Sequence, residues 1–443
     1  MKKYSRYKPS GVEWLGEVPE GWETWKISHG YHLTGSGTTP PSDNADWYEG
    51  DICWVTTGEL RETTILDTQK KVSDIALSQF SALKLFPPGT LLVAMYGATI
   101  GRLGILGVEA TTNQACCALA LSKIFLNQFV FYWLQAFKET IVILASGGGQ
   151  PNISQEKVRA IEIPAPPLPE QQAIATYLDR ETGRTDTLID KKQRIVELLK
   201  EKRVAMVSRA VTKGLDPNVK MKPSGVEWLG EVPEHWEVKK LKHRAVIRYG
   251  IGEPPEYVVE GVPLIRATNV NAGKIESANL VRVDPSDIPG ARIVWLKAGD
   301  IIVVRSGAYT GDSSIIPKAY ENSIAGFDMV VSVRNAHSGF VAYALLSKYL
   351  KDGQICLEKL RAAQPHLNAE ELGNCTLLLP PLPEQQTIST YLDRETAKLD
   401  TLISKVDTAI DTLKEYRTAL ISAAVTGKIC VTDGLGGMKD EHK

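Results

Sequence analysis

Residues 166–189 read PPLPEQQAIATYLDRETGRTDTLI, and residues 380–403 read PPLPEQQTISTYLDRETAKLDTLI. Nineteen of the 24 positions are identical, at an offset of 214. The same offset relates KPSGVEWLGEVPEGWE at 8–23 to KPSGVEWLGEVPEHWE at 222–237, which differ only at Gly21 against His235. It also relates Gln150-Pro151-Asn152-Ile153 to Gln364-Pro365-His366-Leu367. Between these anchors the match is faint but traceable. ICWVTTGEL (52–60) aligns with VPLIRATNV (262–270) and GTLLVAMYGATIG (89–101) with GDIIVVRSGAYTG (299–311), both at offset 210. FVFYWL (129–134) aligns with FVAYAL (340–345) at 211. A period this long excludes a solenoid or propeller. The 443 residues are two copies of one plan, with near-identical borders around divergent centres. The borders do one job twice, and the centres do two different jobs.

Each centre reads as mixed α/β (α+β). LLVAMY (91–96), IIVVR (301–305), Ile52–Val55 and Pro263–Ile265 are short apolar, β-branched runs and are predicted strands. Phe125–Phe137 and Phe340–Leu350 are predicted packed helices. The borders turn helical after Pro169 and Pro383, each followed by Glu, which suits a helix first turn. Downstream, Leu399, Ile403, Val406, Ile410, Leu413, Arg417, Leu420 and Ala424 recur at 4-3 spacing. Subtracting 214 gives Thr185, Ile189, Lys192, Val196, Leu199, Arg203, Met206 and Ala210, a seam interrupted by polar residues. A sustained 3.5-residue period predicts coiled-coil packing, and Gly214 and Gly427 stand where the helices should stop. The expected fold is a tandem duplication about a pseudo-twofold axis, with two long helices packed on each other. The alternative is two amphipathic helices, each lying on its own domain.

Composition narrows the function. Hydrophobic residues make 43 % and charged residues 23 %, which excludes collagen-like, wholly disordered and disulfide-framework proteins. The 51 basic and 52 acidic residues give a net charge of −1, so any basic surface is a local patch. The apolar stretch Ala115–Phe137 is broken by Lys123, Asn127 and Gln128 and reads as a buried strand and helix rather than a membrane span. The N-terminal MKKYSRYKPSG has no apolar region and is not a signal peptide. Six cysteines without a CxxC read as reduced core thiols of a cytoplasmic protein, with no metal site. No P-loop, zinc-protease, deaminase or nucleophile-elbow motif occurs, and the seven histidines are scattered. The Asn-Pro-Pro-aromatic signature of amino-group DNA methyltransferases is missing too. A large duplicated chain with divergent centres and no catalytic constellation is a recognition device.

At this point the chain resembles the specificity subunit of type I restriction–modification enzymes. The resemblance rests on PPLPEQQ-x-I-x-x-YLDRET at 166–182 and 380–396, the KPSGVEWLGEVPE segments, the two Gln-Pro elements and GTLLVAMYGATIG. It implies a first target-recognition domain at 1–166 and a first spacer helical region at 167–214. A second recognition domain at 215–380, a second spacer region at 381–428 and a tail at 429–443 would follow. Each domain would read one half of a bipartite, asymmetric target in double-stranded DNA. The helices would pair antiparallel, set the half-site spacing and dock two modification (methyltransferase) subunits. Restriction/translocase subunits would join them. The chain itself would bind no cofactor; S-adenosylmethionine, ATP and Mg2+ would serve the partner subunits. The rival readings are a coiled-coil adaptor that binds no DNA and, less favoured by the missing motifs, a complete methyltransferase.

Base edges are read by Arg at guanine and by Asn or Gln at adenine. Beside the aligned strand ends, the candidates in the first domain are Thr56, Thr57, Arg61, Tyr96, Arg102, Asn113, Gln114 and Gln150. In the second they are Arg266, Asn269, Arg305, Tyr309, Gln364 and His366. Gln150 and Gln364 recur in both copies, so a structural turn is an equal reading for them. Lys2, Lys3, Arg6 and Lys8, with Lys239, Lys240, Lys242 and Arg244, are candidate phosphate contacts or a solvated basic face. Trp14 and Trp228 read as core packing.

Overall fold

The computed structural model describes residues 2–12, 15–143, 152–226, 229–355 and 366–431. Gln150, Gln364, Trp14 and Trp228 lie outside the described residues. The chain forms two compact units, one of Met1–Lys191 with Ala409–Lys443 and one of Lys192–Thr408.

In the first unit a five-stranded sheet runs in the order Tyr31–Gly35, Cys116–Ser122, Leu91–Ala94, Leu103–Leu106, Thr63–Ile65. Its last pair is parallel and the others antiparallel. Beside it stands a three-stranded sheet, Ala110–Thr112, Ile52–Val55 and Lys71–Val72, whose first pair is parallel. Successive strand residues point to opposite faces. Leu91 and Val93 enter one core, against Phe129, Val130 and Leu134 of the helix Asn127–Ala136. Leu92 and Ala94 enter another with Val55 and Phe86. A sheet covered on both faces explains the unbroken apolar run LLVAM.

The second unit repeats this plan. A four-stranded antiparallel sheet runs Ala245–Tyr249, Met329–Val333, Ile301–Val303, Ser313–Ile315. A three-stranded sheet places Val262–Ile265 between Val281–Val283 and a parallel neighbour, Ile324–Ala325. Ile301 and Val303 share a core with Phe340 and Val341, and Ile302 and Val304 face a second core. The predicted strands 91–96 and 301–305 end early, at Ala94 and Val303. The chain then turns through Gly97 at φ 62 and Gly307 at φ 83, which carry the backbone back. The predicted helix 340–350 runs as Ser338–Leu346 and restarts at Lys348–Leu350, because buried Ser347 is extended.

The long helices are Leu168–Lys213 and Leu382–Val425, of 46 and 44 residues. Gly214, at φ 76, stops the first, and Gly427, at φ 70, follows the second. A Cβ on Gly427 would sit 2.4 Å from the Pro19 ring, so the stop is also a close approach. Every predicted seam position is buried or half-buried, while the residues on the opposite faces are largely exposed. The two arginines of the seam are each met by an aspartate within their own unit. Arg417 Nε donates to Asp186 at 2.8 Å in the first unit. The equivalent pair in the second, Arg203 and Asp400, stands at 3.7 Å, with Lys274 also on Asp400 at 2.7 Å.

Candidate nucleic-acid interface

The repeated borders hold each central domain on a long helix. Gln171 is fully buried and donates from Nε2 to Ile124 O and Pro166 O, both at 2.7 Å, while its Oε1 accepts from Leu126 N at 2.8 Å. Gln385 does the same for Pro380 O and His337 N. Glu170 accepts from Trp22 Nε1 at 3.1 Å, and Glu384 from Trp236 Nε1 at 3.2 Å. Thus the Trp of one repeated motif is pinned by the Glu of the other. Asp179 and Thr182 hold the Tyr132 hydroxyl, and Asp393 and Thr396 hold that of Tyr343. Burial pushes the Tyr132 phenol up to about 12, so it stays a neutral hydrogen-bonding post. The identical borders are thereby accounted for as two identical mounts.

On these mounts the divergent residues converge at one end of each sheet. In the first unit Thr112 pairs with Val55 and Cys116 with Ala94, which puts Thr56, Asn113, Gln114 and Tyr96 at the same end. Arg102 and Arg61 join them, since Val93 pairs with Leu103 and Glu62 N donates to Leu103 O. Tyr96 is 43 % exposed, and Gln114 is exposed with Oε1 accepting from the Thr39 hydroxyl at 2.7 Å. Arg61 is exposed and Arg102 half-buried. Thr56, with Thr57 beside it, opens a short helical turn capped by Glu59.

In the second unit Met329 pairs with both Tyr249 and Val303. Tyr249, Arg305 and Phe327 therefore meet at that edge, and Arg266 follows the neighbouring strand. The Arg305 guanidinium carbon lies 3.7 Å from the Phe327 ring centre and 4.7 Å from that of Tyr249. Arg305 N donates to Asp328 Oδ1 at 3.2 Å, and burial pushes the Asp328 carboxyl up to about 6. Arg266 donates to Asn279 O at 2.8 Å and to the Tyr257 hydroxyl at 3.3 Å. Tyr309 is exposed, and His366, also exposed, bridges to Ser306 as Asn152 does to Tyr96.

One candidate is corrected. Asn269 is fully buried, with Nδ2 donating to Glu276 O and Ala278 O and Oδ1 accepting from Arg266 N, so it closes a turn and offers nothing to a base. Lys240, Lys242 and Arg244 bond Thr376, Asn374 and Glu237. They stand before the strand that ends at Tyr249, at the end away from the cluster. The sequence reading missed Tyr249, Tyr257 and Phe327. For Tyr249 and Phe327 the available signal was an aromatic beside Gly250 or Gly326 at a strand end. A Cβ on Gly250 would collide with Gly326 O at 1.9 Å, which marks a close backbone crossing. Among the described residues there is no cluster of His, Cys, Asp and Glu that could hold a metal ion. None of the described helices is long and apolar enough to cross a membrane.

Comparison with known proteins fits this arrangement. The family model described as "Type I restriction modification DNA specificity domain" matches twice, over residues 19–198 and 233–411. The chain is 22 % identical over 433 residues to the type I restriction enzyme EcoKI specificity subunit of Escherichia coli (strain K12), covering 94 % of this chain and 90 % of that one. It is 26 % identical over 424 residues to the MjaVIII specificity subunit of Methanocaldococcus jannaschii, covering 94 % of each. A chain from a structural study of complex assembly and conformational transition in the type I R-M system superposes with a TM-score of 0.72. It has 17 % identity and covers 93 % of this chain and 99 % of that one. The HsdS subunit of Thermoanaerobacter tengcongensis gives a TM-score of 0.51 at 16 % identity, covering 93 % and 98 %. With two matched copies spanning most of its length, on two mounted domains of one plan, the chain belongs to the type I restriction–modification DNA specificity family.

Proposed function

We propose that each central domain reads one half of a bipartite, asymmetric DNA target through its strand-end cluster. The long helices hold the two readers at a set distance and dock two modification subunits, with restriction/translocase subunits joining the assembly. The chain contributes address and no chemistry: S-adenosylmethionine, ATP and Mg2+ belong to the partners, and the assembly works in the cytoplasm on double-stranded DNA. One observation carries this reading. Identical mounts present different reading edges, Thr56, Tyr96, Asn113 and Gln114 in one unit and Tyr249, Arg305 and Phe327 in the other. Different edges require different half-sites, so the target is non-palindromic. Sites approached from one face of a duplex lie about one turn, roughly 34–36 Å, apart.

The test is a domain exchange. Replacing residues 24–150 with the matching segment of another such domain should change one half of the methylated motif and leave the other half and the gap alone. If both halves change together, the modular reading is wrong. An adaptor that binds no DNA would show no methylated motif dependent on this chain.

A further inference from the structure

Two arginines stand at the reading edge of the second unit, and their surroundings differ. Arg266 is spent within the protein, on Asn279 O and the Tyr257 hydroxyl, with its guanidinium 5.4 Å from the Tyr257 ring centre. Arg305 makes no side-chain hydrogen bond or ion pair to any described residue. Its Nε is shut away from solvent, and its guanidinium is laid across Phe327 and Tyr249. Those rings are 41 % and 43 % exposed, so the stack is at the surface. The backbone on either side is fixed. Arg305 N donates to Asp328, and Arg305 O accepts from Leu367 N at 2.8 Å. Stacking a guanidinium on aromatic faces removes its rotational freedom and leaves its outer N–H edge as an oriented fork. That fork matches O6 and N7 of guanine in the major groove. In the first unit the aligned position is Met95, which is 2 % exposed, so this reader has no counterpart there.

Resting on the reading of the central domains as DNA readers, we propose that Arg305 is the guanine-specifying residue of the second half-site, pre-aimed by Tyr249 and Phe327, while Arg266 is a strut. Asp328 acts as a positioning residue through the Arg305 backbone.

The experiment uses the chain assembled with its modification subunits and DNA duplexes carrying the mapped target. Each guanine of the second half-site is replaced in turn by 7-deazaguanine, which lacks the N7 acceptor. One position should lose about 5- to 150-fold in affinity with the wild-type assembly. Arg305→Ala should lose a similar factor on normal DNA and be indifferent to 7-deazaguanine at that position. Arg266→Ala should leave the sensitive position unchanged. Arg305→Ala that binds cognate and unrelated duplexes equally more weakly, with a shallower salt dependence, would identify a phosphate contact and overturn the proposal. So would a wild-type assembly with no 7-deazaguanine-sensitive position in that half, a result that stands even if Arg305→Ala fails to assemble. The parent reading fails by a different result, an unchanged motif half after exchange of the whole domain.

Discussion

Asp328 shows how a buried acid can hold a strand-end cluster in place. Its side chain is almost wholly enclosed, 2 % exposed, and it accepts from the amide of Arg305. Burial raises its carboxyl to about 6, against an unfolded value of 3.8, and the nearby Arg305 charge offsets this only in part. A folded-state acid raised in this way binds its proton more tightly than the unfolded chain does. The anion therefore costs stability progressively as pH rises from about 4 to about 6, and the cost persists at pH 7. A two-unit rise corresponds to about 3 kcal/mol. Asp328→Asn keeps an acceptor for the Arg305 amide without the charge. It should gain stability relative to the wild type as pH goes from 4 to 7, by up to about 3 kcal/mol, read as a widening gap in thermal midpoint. An equal gap at both pH values would show that the Asp328 carboxylate is not penalised in the folded protein.

At the scale of the element, the long helices carry both kinds of contact expected of a coiled-coil seam. The apolar positions do most of the holding. Leu420 is 4 % exposed and packs in the same core as Ile174 and Leu178. The Asp186–Arg417 pair is half exposed, with side chains at 49 % and 25 %, so water screens it. A double-mutant cycle of Asp186→Ala and Arg417→Ala should give a coupling under about 1 kcal/mol that shrinks further in high salt. Leu420→Asp should cost several kcal/mol, because it leaves a carboxylate without a partner in an apolar core. Chemical denaturation of the four variants separates the two effects. A coupling as large as the Leu420→Asp loss would make charge, rather than apolar packing, the main tie. The heptad period was legible in the sequence because it is local. The partners of Arg203 and Arg417 were not, since nothing in the spacing says that either arginine is met by an aspartate from the other helix.

For the whole molecule, the repeat revealed two tandem copies of one plan, and the strand and helix positions followed from local apolar patterning. The candidate site was half legible. Residues flanking the aligned strands, such as Thr56, Asn113, Gln114, Arg266 and Arg305, do gather at one end of each sheet, because register carries strand ends together. Tyr249 and Phe327 escaped notice because strand pairing, and not spacing along the chain, brings them to Arg305. Asn269 was misread because an asparagine after a strand looks the same whether its amide faces out or is consumed by its own turn. The mounts show the same limit. Both motifs were visible as repeats, yet the bond between Trp22 and Glu170, 148 residues apart, is a tertiary fact.

One contact of the first unit has a consequence for how such a chain can be cut. Cys430 N donates to Lys2 O at 2.9 Å, beside the Tyr7 hydroxyl on Gly427 O. In the repeat of 214, both Lys2 and Cys430 correspond to a single residue, Asp216, which lies in an exposed turn of the second unit. What the second unit joins by peptide bonds, the first joins by a hydrogen bond at the same place in the pattern. Exchanging the two junctions, so that Lys2 and Cys430 are joined and Asp216 and Pro217 are parted, is therefore expected to preserve the fold. A rearranged gene that starts at Pro217, runs to Val431, passes through a short linker to Lys2 and finishes at Asp216 should give a protein with an unaltered thermal midpoint. Exposed turns tolerate such openings, and the linker would have little distance to span. A large fall in that midpoint would mean that the 214–220 backbone carries a constraint which the 2–430 contact does not reproduce.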